Sequence, residues 1–156
     1  MEEKAIQDGW HEIGSYCWGC GRNNEHGLRL KSFWRGDEVI ATWQPQEYHM
    51  AFPGVLNGGI IATLIDCHSL NMANAAACRA EGREYDADPL SGFVTGSLFI
   101  KLLKPTPVDV PVTLRARIKE MNERKITITC KLYSDEMECA EGELIAIRVG
   151  RSKLLG

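Results

Sequence analysis

A chain of 156 residues is long enough for one domain with a sizeable core. With 44% hydrophobic and 25% charged residues and a formal net charge of −3, it has an ordinary globular composition. It has no basic field that would draw nucleic acid or an anionic membrane. The start MEEKAIQDGW is acidic and polar, unlike a secretory signal or a transit peptide, so a cytoplasmic location is expected.

Residues 1–15 read as an N-terminal extension of a single domain spanning 1–156. The cysteine pair Cys17 and Cys20 follows. A structural zinc site usually draws on a second closely spaced pair of ligands, and the other four cysteines are scattered at 67, 78, 130 and 139. His11 and His26 lie nearby at spacings that fit no common zinc pattern. The expectation is therefore reduced thiols in a tight turn, with no metal and no disulfide.

Residues 28–33 and 38–44 read as two strands joined around Arg35-Gly36-Asp37, and 45–57, with Pro45, Pro53 and Gly54, reads as a loop. A helix is predicted from the glycine pair Gly58-Gly59 to about Glu81, stopped by Gly82. Its apolar stretch carries Asp66, His68, Asn71 and Asn74, too polar for a membrane span. After a polar loop over 83–92, strands are expected at 93–103, 110–118, about 126–132 and 138–149. Val110, Val112, Leu114, Ala116 and Ile118 alternate with polar residues, and so do Ile126, Ile128, Cys130 and Leu132. The turn at 121–124 makes these two an antiparallel hairpin.

The order is an α+β layout: a curved antiparallel sheet of five to six strands wrapped around one long central helix. A helix apolar on nearly every face must be covered nearly all round. The open edge of such a sheet is most simply covered by a second copy, so a homo-oligomer is expected.

The chemistry gathers on the helix. A carboxylate among Ile60, Ile61, Leu64 and Ile65 is costly to desolvate, so Asp66 either has a structural partner or serves chemistry. Gly58 and Gly59 sit where backbone N–H groups are unpaired and the helix dipole is positive, which suits a carbonyl oxygen gaining charge in acyl transfer. Asp66 lies eight residues after Gly58, a little over two turns on, so a substrate using both would bridge two chains. His68 points about 200° away from Asp66 and reads as buried packing. His49 could reach the pocket mouth. Cys67 reads as core.

The stretch 54–66, GVLNGGIIATLID, resembles the His-Gly-Gly…Asp signature of hotdog-fold acyl-CoA thioesterases, in particular the phenylacetate-pathway (PaaI-like) branch. The opening CWGCGRNNEHGLRL is similar to the CxxCGxxNxxGL start that many of them carry. TGSLFIKLLKP, 95–105, looks like the strand after their helix. The resemblance covers about residues 16–149 and implies hydrolysis of an acyl-CoA thioester. Asp66 would be general base or nucleophile, Gly58 would polarise the carbonyl through its N–H, and Thr95 would hold the attacking water from the opposing subunit. Asn57 stands where the family has histidine, and Ala51 where relatives often have asparagine. Asn57 can donate a hydrogen bond but cannot shuttle a proton. With Gly59 and His49, Lys101 and Lys104 are candidates to bind substrate, and Arg151 and Lys153 are further cations for the phosphates of coenzyme A. No cofactor is implied beyond coenzyme A in the substrate. A non-catalytic acyl-CoA or acyl-carrier binding module on the same fold is the alternative. A hydratase would need an Asp–His or His–Glu arrangement that this chain does not supply. Trp43, Phe52 or Phe93 could line a pocket for an aryl group.

Overall fold

The computed structural model describes residues 3–89 and 91–155. The first two residues of the expected extension and Leu90 of the expected 83–92 loop lie outside the described residues, as does Gly156. The elements in chain order are α1 (Ile6–Gly9), β1 (Phe33–Arg35), β2 (Glu38–Trp43), α2 (Gly58–Glu81), β3 (Ser91–Leu102), β4 (Val112–Met121), β5 (Lys125–Ser134), β6 (Met137–Gly150) and α3 (Arg151–Leu155).

Helix α2 starts and stops for identifiable reasons. Asn57 caps it, its side-chain oxygen accepting from Gly59 N at 2.8 Å and Ile60 N at 3.2 Å. Gly82 ends it in the left-handed region at φ +65°, its N–H returning to the last carbonyls. Between these caps Ile61, Leu64, Ile65, Met72 and a run of alanines are buried. The alanines let strands approach closely, and α2 packs against β2, β3, β4, β5 and β6.

The strands form one six-stranded antiparallel sheet in the order β1-β2-β4-β5-β6-β3. Gly36 supplies the positive φ of the β1–β2 turn. Leu114, Ala116, Ile128, Leu132, Leu144 and Ala146 turn inward onto α2, all inaccessible to solvent. This is the α+β hotdog arrangement expected from the sequence. Among the described residues no helix is long and apolar enough to cross a membrane.

Several boundaries differ from expectation. Residues 28–32 belong to no strand, because their backbone partners lie in the N-terminal segment and Arg29 takes a left-handed φ of 54°. Leu28 N donates to Trp18 O, Leu30 N to Gly19 O, and Ser32 O accepts from Ile6 N. The segment expected to be an extension is therefore partly core, with Ile6 and Gln7 buried. Ile118, expected on the inner face of β4, is exposed beside a bulge in the β4–β5 pairing. The sheet's outer strands are β1, only three residues long, and β3, twelve residues long and paired on one side by β6. Phe99 and Leu102 on β3 are more than half exposed.

Candidate active site

Asp66 stands in the middle of α2, half-buried, on the wall of a cavity of about 340 Å³. Thr95 Oγ1 on β3 donates to Asp66 Oδ1 at 2.6 Å. A bulge between Thr95 and Ser97 leaves Gly96 without a ladder partner, and a side chain at Gly96 would strike Ile147. Bulges re-aim neighbouring side chains, and here Thr95 turns onto the helix. A lone glycine inside a strand pattern was the available sequence signal for it. Thr95 thus engages the carboxylate of its own chain, where the resemblance implied a water held from the opposing subunit. Burial raises the pKa of Asp66, Thr95 pulls it back down, and negative charge on Cys17 raises it slightly.

The cavity is largely apolar, walled by Trp10, Leu70, Tyr85 and Phe93. Of the three aromatics expected to line a pocket, only Phe93 does. Trp43 is buried, donating to Leu28 O at 2.8 Å, and Phe52 is exposed. Two helix asparagines brace the walls. Asn71 Oδ1 accepts from Trp10 Nε1 at 2.5 Å, while Asn74 bonds both backbone groups of Phe93, accepting from its N at 2.8 Å and donating to its O at 3.1 Å.

Cys17, Cys20 and Cys67 also border this cavity, the fold bringing Cys67 to a pair that lies about fifty residues away in sequence. Hydrogen bonds from Cys20 first and Cys67 second hold the Cys17 thiol far below its ordinary value. Facing that thiolate, Cys20 is pushed up to about 11, and Cys67 is pushed up by Cys17, by Cys20 and by burial.

The glycine turn lies at the other end of the α2–β3 contact. A side chain at Gly58 would meet Leu102 Cδ1 at 3.0 Å, whereas Thr95 reaches Asp66, so strand and helix run past each other. The Asn57 cap takes the Gly59 N–H and so leaves Gly59 no free amide for substrate. Gly58 N–H has no acceptor among the described residues. His49 is tied to this turn through its carbonyl, which accepts from Asn57 N at 2.9 Å, while its Nδ1 accepts from Gln46 N. Burial lowers the His49 pKa, and its ring packs on Trp43. Lys101 and Lys104 are exposed on either side of Leu102, at the glycine end. Arg151 pairs with Asp88.

Within one chain, then, the structure brings Asp66 and Thr95 together, and separately Asn57, Gly58, His49 and the end of β3. The two groups are about 12 Å apart along the helix, eight residues at 1.5 Å each. His68 belongs to neither. Its Nε2 donates to Val39 O and its Nδ1 accepts from Ser32 Oγ, both at 2.8 Å, a tautomer fixed by the carbonyl.

Residues 53–141, more than half of the chain, match the family model described as the thioesterase superfamily. The chain belongs to the thioesterase superfamily. Among solved structures, a thioesterase superfamily protein of Shewanella loihica is 40% identical, the match covering 81% of this chain and 96% of that one with a TM-score of 0.64. A thioesterase of Haemophilus influenzae, 16% identical over 80% of each chain, has a TM-score of 0.65. The PaaI protein of E. coli, from the phenylacetic acid degradation operon, is 14% identical over 79% of this chain and 81% of its own, also at 0.65. These last two show a shared fold. No curated protein matches the chain. Membership of the thioesterase superfamily suggests hydrolysis of a thioester.

Proposed function

We propose that this thioesterase superfamily member hydrolyses an acyl-CoA thioester to the free acid and coenzyme A, in a site shared between two copies of the chain. The observation that carries the reading is Asp66, a half-buried carboxylate held by Thr95 on the wall of an apolar cavity large enough for an acyl group. The sequence of 54–66 and the CxxCGxxNxxGL start support the PaaI-like branch.

Asp66 takes a proton from water as the water oxygen attacks the thioester carbon. The carbonyl electrons move onto oxygen, and the oxyanion is met by a backbone N–H at a helix start. As the tetrahedral intermediate collapses, the C–S bond breaks and the thiolate of coenzyme A leaves, taking up a proton. In the nucleophile variant of this scheme, Asp66 attacks the carbon itself and water resolves the anhydride. Either route needs no cofactor beyond coenzyme A in the substrate.

The oxyanion donor cannot be the same chain's Gly58, some 12 Å distant along the helix. If two β3 edges pair antiparallel around Leu98 and Phe99, Leu102 of one chain comes opposite the partner's Thr95. The Gly58 turn then comes beside the partner's Asp66, and the exposed Phe99 and Leu102 are covered. Lys101 and Lys104 would stand at the rim for the phosphates, with Asn57 and His49 at the mouth.

The binding-module reading is favoured by one observation. Asn57, in place of the family histidine, spends its side-chain oxygen on the helix cap. A thiol-release assay over short, medium, long and aryl acyl-CoA substrates, run on wild type and Asp66→Asn, separates the two. Hydrolysis predicts turnover by wild type and a fall in kcat of about 10²–10⁴-fold in the variant, with acyl-CoA binding little changed. A folded variant that turns over like wild type contradicts the mechanism, and binding without turnover by either protein supports the module.

A further inference from the structure

The N-terminal turn meets helix α2 through sulfur. The Cys17 and Cys67 Sγ atoms are 3.7 Å apart, and the sulfurs of Cys17, Cys20 and Cys67 all lie within 4.8 Å of one another. The sequence expectation of no metal rested on the lack of companion ligands for Cys17 and Cys20. Cys67, fifty residues beyond Cys17, supplies one.

The backbone is shaped to let these sulfurs converge. A Cβ at Gly19 would stand 2.3 Å from Cys67 Sγ, so only glycine lets the loop sit against that sulfur. A Cβ at Gly21 would stand 2.5 Å from Cys17 N and Ser15 O, so the turn closes tightly after the second cysteine, where Gly21 N donates to Cys17 O at 2.7 Å. The bonds from Leu28 N to Trp18 O and from Leu30 N to Gly19 O fix the loop between the two cysteines on the returning chain.

A buried amide is also committed to the cluster. Asn71 Nδ2 donates to Cys20 Sγ at 3.3 Å, and the indole of Trp10 holds the amide in that orientation through Asn71 Oδ1. Outer donors of this kind orient the ligands of metal sites.

We infer that Cys17, Cys20 and Cys67 bind one zinc ion as three thiolates. Two thiolates, each about 2.3 Å from a tetrahedral zinc, stand about 3.8 Å apart, which matches the Cys17–Cys67 separation. An all-sulfur set selects a thiophilic ion over magnesium or calcium. Any sulfur still protonated gives its proton to solvent as it ligates, and no sulfur is oxidised. The fourth position opens on the cavity that Asp66 shares and takes water or another ligand from it. The ion clips the N-terminal segment to α2 and so holds one wall of that cavity. This clip stands whether or not Asp66 is catalytic.

The test uses the full chain, reduced, stripped with a chelator and then loaded with zinc or, separately, cobalt(II). Zinc content by elemental analysis, the charge-transfer absorption of cobalt bound to thiolate, and the melting temperature are read together. The expected result is one ion per chain, an intense sulfur-to-cobalt band, and a higher melting temperature with zinc than without. Cys17→Ser, at an exposed position, and Cys67→Ser lose stoichiometric zinc and most of the cobalt band, whereas Cys139→Ser keeps both. The inference is overturned if the reduced wild type takes up no stoichiometric ion. It is equally overturned if Cys17→Ser and Cys67→Ser bind like wild type, or if the cysteines are found joined as a disulfide with no metal.

Discussion

The two ends of the contact between α2 and β3 are built from different materials. Around Asp66 the surroundings are largely apolar: aromatic rings, three sulfurs, and a threonine whose hydroxyl is spent on the carboxylate. At Gly58 they are polar and open: a backbone amide, an exposed asparagine and two exposed lysines. A half-buried carboxylate in an apolar wall suits the attack on a thioester, because burial sustains its basicity. An open helix start suits an oxyanion and the polar length of coenzyme A. Neither end can do both tasks, and one helix keeps them two turns apart. Under the mechanism proposed above, the separation makes a second copy a catalytic requirement as well as a cover for the β3 edge.

The largest way to break the comparison after Asp66 itself is at the open end. Gly58→Pro removes the N–H at the first helical position, where proline is otherwise well tolerated. If that N–H stabilises the oxyanion, kcat falls about 10²–10³-fold while the melting temperature changes little. Wild-type kcat in this variant would remove Gly58 from the reaction.

At the apolar end, Thr95→Val keeps the shape but removes the donor to Asp66. Hydrogen bonds to charged groups are worth about 1.5–3 kcal/mol, so kcat should drop about 10–100-fold. Thr95→Ser should restore most of it with KM hardly moved, which separates positioning of the carboxylate from packing of the strand. Equal loss in both variants would count against the hydroxyl.

The buried core also sets a pH dependence of stability. Burial holds His68 neutral in the folded chain, its pKa down to about 4 from an ordinary 6.5. Below pH 6.5 the unfolded chain gains a proton that the folded chain refuses. The stability due to neutral His68 is therefore complete above 6.5 and is lost as pH falls toward 4, by about 1.4 kcal/mol per unit. Denaturant titrations from pH 7 to 4.5 should show this slope in wild type and a shallower one in His68→Gln. An unchanged slope in the variant would contradict it.

The smallest effect concerns the helix cap. Asn57→Ala should cost about 0.5–2 kcal/mol of stability, and Asn57→Asp, which also caps, should recover it. Thermal denaturation of both variants reads this directly.

The sequence made α2 legible because its boundaries are local: a capping side chain at Asn57, glycine permissiveness at Gly82, and apolar residues on every face between. The β4–β5 hairpin was legible for the same reason, since alternation and a turn lie within one short stretch. What stayed hidden depends on distant partners. Residues 28–32 have the pattern of a strand, yet they bond to Trp18, Gly19 and Ile6. Cys67 reads as ordinary core until the fold lays it against Gly19. Asp66 and Gly58 could be singled out by residue type and spacing, but the hydroxyl that holds Asp66 needed the bulge at Gly96, a feature of pairing with β6. Lys101 and Lys104 were found at the glycine end, and only the strand's direction past the helix explains why they lie there.

The shared site is tested most directly by mixing two inactive proteins. Asp66→Asn chains retain the Gly58 turn, and Gly58→Pro chains retain the carboxylate. Unfolding the two together and refolding them as mixed dimers, with heterodimers counted by mass spectrometry, gives particles in which one site has both intact halves and the other has neither. If the halves come from different chains, thiol release should recover to about a quarter of wild type, since half the dimers are mixed and each of those has one good site. If mixed dimers form and release thiol no faster than the two parents, the site lies within one chain and the shared arrangement is wrong.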